Sequence, residues 1–162
     1  MNLYTFLMNS SSGKRFILAG LTEIINDRNN FFIIDNRFSN NKEKVSLRDK
    51  IKWQNNLFNI SSVQNFTKAK LKDYIIVGQN IIDEGVYVRE WAPGDKIIMH
   101  DGHSNKVKKL LIDNKIPIPY KKNVPIIVNA DNSILWIPGI AHSEACSKPL
   151  SPFVKISCFY EN

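Results

Sequence analysis

Cysteine is nearly absent: Cys146 and Cys158 are the only two in 162 residues, which excludes a disulfide framework, and neither sits in the CxxC spacing of a zinc site. This usage fits a reducing compartment, so a cytoplasmic location is expected. No apolar run approaches the roughly 20 residues of a membrane-spanning helix. The first 18 residues also lack the basic end, apolar core and cleavage site of an export signal. Export and contact with a membrane are therefore not expected. Acids are scarce as well, 15 against 22 lysines and arginines, for a formal net charge of +7. Apolar residues are not scarce: 43% hydrophobic with 23% charged excludes wholesale disorder and fibrous repeats.

A chain of this length suffices for one ordinary domain or two small ones, and folding buries about 70% of the surface of the unfolded chain. The positive charge is concentrated. Between His103 and Lys122 stand Lys106, Lys108, Lys109, Lys115, Lys121 and Lys122, against the single acid Asp113. Lysines that neutralise phosphates release condensed counterions, so a polyanion is a natural partner. A lysine-rich face that only keeps the chain in solution is the plain alternative.

The first half reads as short strands and turns. A strand is expected from Arg15 to Ala19, after a turn at Ser10-Ser11-Ser12-Gly13. Residues 22–26 and 31–34 form a hairpin pattern across Asp27-Arg28-Asn29-Asn30. Residues 51–54 and 57–60 form another, around a two-residue turn at Asn55-Asn56. Residues 37–44 are polar and read as a surface connection. Lys68 to Lys72 is basic without an apolar face, and a division between halves is placed near Gly78.

In the second half, residues 85–91 alternate as a strand and run into the turn Ala92-Pro93-Gly94-Asp95. A helix follows, with Ser104 as the expected cap and Val107, Leu110 and Leu111 on one face. It must stop before Pro117. Residues 126–128 and 134–137 are buried strands around a polar turn, and Phe153 to Tyr160 is a last strand expected in the same sheet. The fold class is thus α+β: a β-rich first half, then a small sheet with one packed basic helix. Trp53, Trp91 and Trp136 are residues of the type that stacks on unpaired bases; Trp136, between apolar strand residues, reads as core, whereas Trp91, beside a turn, is open to either role. His100-Asp101-Gly102-His103 has residue types that bind metals, but four adjacent turn residues do not converge on one ion, and the only other histidine is His142. No metal site is assigned.

Four pieces of the second half, taken in order, resemble one family. Val88-Arg89-Glu90-Trp91-Ala92-Pro93-Gly94-Asp95-Lys96 is similar to the strand and Pro-Gly-Asp turn that open the C-terminal domain of tRNA(Ile)-lysidine synthetases. The stretch from Ser104 to Pro117 resembles that family's basic helix. Pro117, Lys121 and Pro125 keep the spacing of its proline-basic-proline stretch. Ile134-Leu135-Trp136-Ile137-Pro138-Gly139 resembles its closing strand. The likeness is strongest over residues 86–142, and Ser12-Gly13-Lys14 with the two strands after it resembles the family's intermediate region. The chain departs from the family at Lys96 and Lys121, where arginine is usual, and at Lys122, where an acid is usual. Lysine keeps the charge without the planar fork that grips phosphate in two places.

The resemblance implies residues 1–79 as the β-rich intermediate region and 80–162 as a C-terminal tRNA-binding domain. The partner it implies is tRNA, held through Arg89, Lys96, Lys106, Lys108, Lys109, Lys121 and Lys122 by contacts to phosphate that position and do not read sequence. The family adenylates the wobble cytidine of tRNA(Ile) with ATP and lets lysine displace AMP. That chemistry needs a glycine- and serine-rich phosphate loop, which these residues do not contain. Ser10-Ser11-Ser12-Gly13-Lys14 lacks the upstream glycine and the strand-to-helix frame of such a loop. No catalytic residue and no cofactor are therefore assigned to this chain, and ATP and Mg are expected only in a catalytic N-terminal domain absent from it. A free-standing RNA-binding module and a protein-interaction domain remain as alternatives. A homodimer is expected if the first half leaves an apolar face uncovered.

Overall fold

The computed structural model describes residues 1–20, 22–35 and 44–160. By packing, the chain forms two compact units, Met1–Asn41 with Ile116–Lys122, and Lys42–Lys115 with Asn123–Asn162. The class is α+β, short helices beside antiparallel sheets. These units cut across the expected division between residues 79 and 80. The reason is strand pairing, because segments within residues 45–78 find their partners in the second half. Of the polar connection expected at residues 37–44, all but Lys44 lies outside the described residues.

The first unit opens with a helix that the sequence reading missed, α1 (Leu3–Asn9). Asn2 caps it by accepting the Thr5 N–H at 2.8 Å, and Phe6 is buried against the rings of Phe16 and Phe31. Strands β1 (Arg15–Ala19), β2 (Thr22–Asp27) and β3 (Asn30–Asp35) follow as one antiparallel sheet in that order. Arg28 and Asn29, both at positive φ, make the tight β2–β3 turn, whose twist suits paired strands. The Ser10 to Lys14 stretch is the expected turn, tied down by the Asn26 side-chain amide donating to the Ser10 carbonyl at 2.7 Å. Residues 116–122 complete this unit with the helical turn Ile118–Lys121. The Ile118 N–H donates to the buried Asp27 carboxylate at 2.9 Å, and Tyr120 meets Phe32 edge-on.

The second unit begins with β4 (Val45–Ser46), β5 (Lys50–Trp53), β6 (Asn56–Val63), β7 (Tyr74–Gly78), α2 (Gln79–Glu84) and β8 (Val86–Glu90). It continues through β9 (Lys96–Ile98), β10 (Ser104–Lys106), α3 (Val107–Asp113), β11 (Pro125–Asn129), β12 (Ile134–Ile137), β13 (Ala141–His142) and β14 (Phe153–Tyr160). One sheet has the order β13-β12-β11-β8-β4 and a second has β5-β6-β14-β7, while β9 and β10 form a separate ribbon. Val86, Val88, Ile127 and Trp136 of the first sheet share one buried cluster with Phe58, Ile75, Val77 and Ile156 of the second. Burial on both faces explains why β11 and β12 read as continuous apolar runs instead of alternating.

Two expectations are corrected here. The last strand joins the sheet of β6 and β7, lying between them, and not the sheet of residues 126–137. The β5–β6 turn is Gln54-Asn55, with Trp53 opposite Asn56, one residue earlier than expected. Both registers keep Ile51 and Trp53 on the face of Phe58, so alternation does not separate them. Pairing of β6 with β14 over eight residues is the added constraint. Gly78 ends a buried strand and leads directly into α2. That helix closes at Gly85, whose φ of 115° requires glycine.

Both thiols are buried and unpaired. Burial pushes Cys146 up to about 12, despite opposing hydrogen bonds from Ser143, and burial alone pushes Cys158 up to about 12. The thiolate is the reactive form. A thiol reagent at pH 8 is therefore expected to label neither cysteine in the folded chain and both in urea; labelling of either before unfolding would contradict the packing.

Candidate functional site

Five of the seven basic residues singled out from sequence fall in the second unit, on β8, β9, β10 and α3. The β9–β10 ribbon is short, and its register places Lys96 directly opposite Lys106. Side chains alternate along a strand, so Lys96 and Ile98 stand out while Ile97 is buried, and Ser104 and Lys106 stand out opposite them. Like charges facing each other across a ribbon oppose its formation by a few tenths of a kcal/mol, roughly. Among the described residues, no acid pairs with Lys96, Lys106 or Lys108. An anion laid across the ribbon would remove that repulsion.

Lys106 ends β10 and is also the N-cap of α3, so strand passes into helix with no intervening loop. Ser104, expected to cap the helix, instead lies in β10 opposite Ile98. No side chain caps α3; the Val107 N–H donates to the Asp95 carbonyl at 2.9 Å. Val107 and Leu111 are buried one turn apart, which turns Lys108 and Lys109 outward. Lys109 Nζ lies 3.5 Å from the Asp113 carboxylate one turn later, an exposed pair worth about 0.3–0.5 kcal/mol. Lys96, Lys106, Lys108 and Lys109 thus occupy one strand-to-helix corner.

Arg89 is differently placed. Its side chain is 13% exposed, and its Nη1 and Nη2 donate to the two carboxylate oxygens of Asp95, each at 2.9 Å. Nη1 also donates to the Glu90 carbonyl at 2.7 Å, and Nε donates to Asn132 Oδ1 at 2.9 Å. The guanidinium is thus largely engaged within the domain, with each of its three nitrogens donating to a neighbouring residue. Asp95 also accepts the Ala92 N–H at 2.6 Å. Burial raises its carboxyl, but the Arg89 guanidinium and the Ala92 N–H outweigh this and hold it below the ordinary range. Neither Asp95 nor Asn132 was singled out from sequence. An acid in the turn six residues after an arginine was a visible signal, whereas nothing local marks Asn132.

Lys121 and Lys122 belong to the first unit, at the end of the helical turn Ile118–Lys121 and at its C-cap. The tip of the β9–β10 ribbon carries His100-Asp101-Gly102-His103, where Asp101 accepts the His103 N–H at 2.9 Å, the first cause of its lowered carboxyl. Among the described residues no three of His, Cys, Asp and Glu are placed to hold a metal, and no helix is long and apolar enough to cross a membrane. Trp136 is fully buried and its Nε1–H donates to the Leu71 carbonyl at 2.9 Å; Trp53 is buried too, and Trp91 is partly exposed.

A family model described as the TilS substrate C-terminal domain matches residues 86–156, the stretch that contains this corner. The tRNA(Ile)-lysidine synthase of Thermotoga sp. strain RQ2 is 39% identical over 70 residues, 43% of this chain and 17% of that protein. Those of Lactiplantibacillus plantarum and Bacillus subtilis are each 39% identical, over 51 and 57 residues, covering 32% and 35% of this chain and 11% and 12% of those proteins. The chain thus spans about a sixth or less of the length of the curated relatives it matches. In fold it is similar to a solved structure, "Crystal structure of TILS C-terminal domain", with a TM-score of 0.68 and 20% identity over 75% of this chain and 99% of that one. Residues 86–156 of this chain are therefore similar to the TilS substrate C-terminal domain.

Proposed function

We propose that this chain is a tRNA-gripping C-terminal part of a tRNA(Ile)-lysidine synthase, the ATP-dependent ligase that converts the wobble cytidine of tRNA(Ile) to lysidine. The observation that carries this reading is the β9–β10–α3 corner, where Lys96 faces Lys106 and α3 adds Lys108 and Lys109 at once. Compact ammonium groups without a planar fork suit phosphates as point charges, so the corner holds an RNA backbone and reads no bases. Duplex RNA offers mainly phosphates and 2′-hydroxyls to such a surface, and Ser104 beside the lysines is a hydroxyl partner of the right kind. Lys121 and Lys122 are proposed as further backbone contacts from the first unit. ATP and Mg belong to a catalytic domain outside these 162 residues, and the setting is the cytoplasm.

Binding to tRNA is expected at about 10⁻⁴ to 10⁻⁶ M near physiological salt, with log affinity falling linearly as log salt rises. Filter binding over a salt series tests this, with tRNA(Ile) compared against other tRNAs. Affinity that does not change with salt would point to protein interaction instead. Equal affinity for all tRNAs would make the chain a general RNA-binding module.

A further inference from the structure

Asp95 has an acid's charge in the middle of a basic corner, yet every polar group it carries is used. Its two carboxylate oxygens take the Arg89 fork, one of them also takes the Ala92 N–H, and its own N–H donates to the Ala92 carbonyl at 3.1 Å. Its carbonyl accepts the Val107 N–H. The placement matters because Asp95 immediately precedes Lys96 and Val107 immediately follows Lys106, so this last bond is the next rung beyond the Lys96–Lys106 pair. Arg89 reaches on to Asn132 in the β11–β12 turn. One residue therefore joins β8, the Pro-Gly-Asp turn, the base of the ribbon and the start of α3.

We infer that Asp95 is a positioning residue for RNA binding, fixing the strand-to-helix corner on the sheet through Arg89 and Asn132. The inference rests on the tRNA-binding reading above. Long-range electrostatics alone gives the opposite sign, since removing an acid raises the net charge by one and leaves Arg89 as an additional free cation. Positioning predicts weaker binding, because lysines that no longer share one fixed geometry lose simultaneous phosphate contacts.

The test compares two substitutions with the same change in charge. Asp113→Asn removes the acid beside Lys109 and should strengthen tRNA binding by about twofold, as expected for relief of one exposed ion pair. Asp95→Asn should weaken it by about tenfold and flatten its salt dependence, by about one phosphate contact. Asn132→Gly removes only the acceptor of Arg89 Nε, and glycine accepts the Asn132 φ of 64° without strain. A loss of about two- to fivefold is expected there, and this variant decides the matter if Asp95→Asn does not fold. Salt-dependent binding by the unaltered chain, with Asp95→Asn binding as tightly as Asp113→Asn, overturns the inference alone. An unaltered affinity in Asn132→Gly does the same. Lack of salt-dependent binding by the unaltered chain overturns the tRNA-binding reading and the inference with it.

Discussion

Changing Lys96, Lys106, Lys108 and Lys109 together to alanine is expected to lower tRNA affinity by about 10²- to 10³-fold at 0.15 M salt. Each phosphate contact contributes a salt slope of about 0.7 to 0.9, so four contacts account for two to three decades at that concentration, roughly. The slope itself should drop by about three to four. Folding should be nearly untouched, because all four side chains are exposed and, among the described residues, only Lys109 has an acidic partner. Separating Lys96 from Lys106 even removes a repulsion. Filter binding at four or more salt concentrations, beside a thermal melt, measures both quantities. A variant that binds with the original slope would take the corner out of the interface, whatever its absolute affinity.

The largest expected effect on stability is at Trp136. Its ring is fully buried in the cluster shared by the two sheets, and Trp136→Ala should cost about 3–5 kcal/mol. That is a large part of the 5–15 kcal/mol, roughly, that holds an ordinary domain. Volume and not the indole hydrogen bond should dominate. The Leu71 carbonyl that accepts from Nε1 also accepts the Gly139 N–H at 2.7 Å, so Trp136→Phe leaves it partnered. The phenylalanine variant should therefore lose less than half as much. Urea unfolding of the two variants separates the contributions, and equal losses would show that the hydrogen bond matters more than the packing.

Much of the strand inventory was legible. Residues 15–19, 22–26, 31–34 and 134–137 all show as strands, because alternation or a continuous apolar run bounded by turn residues is a local signal. The helix after Lys106 was legible from the spacing of Val107 and Leu111, though not its cap. Three short α-helices were missed: α1, α2 and the single turn Ile118–Lys121. In α1 the residues that matter are Asn2 and Phe6, and Phe6 acquires its partners from β1 and β3. In α2, six residues between glycines carry too little periodicity to stand out.

At the candidate site, the lysines were legible because charge needs no fold to be seen, whereas their roles were not. Arg89 looked like one more cation until its fork was found on Asp95. Asn132 lies 43 residues further along the chain and meets Arg89 only in three dimensions.

From residue order alone came the α+β class, the excess of positive charge after His103, and the four ordered pieces that identify residues 86–142, since each depends on neighbours in the chain. Only tertiary structure decided that β14 divides β6 from β7, that Lys96 opposes Lys106, and that Lys121 and Lys122 belong to a different unit from Lys96, Lys106, Lys108 and Lys109. The physical reason is that strand partners are chosen by burial and backbone hydrogen bonding between segments far apart in sequence, and no local pattern encodes which distant segment will supply them.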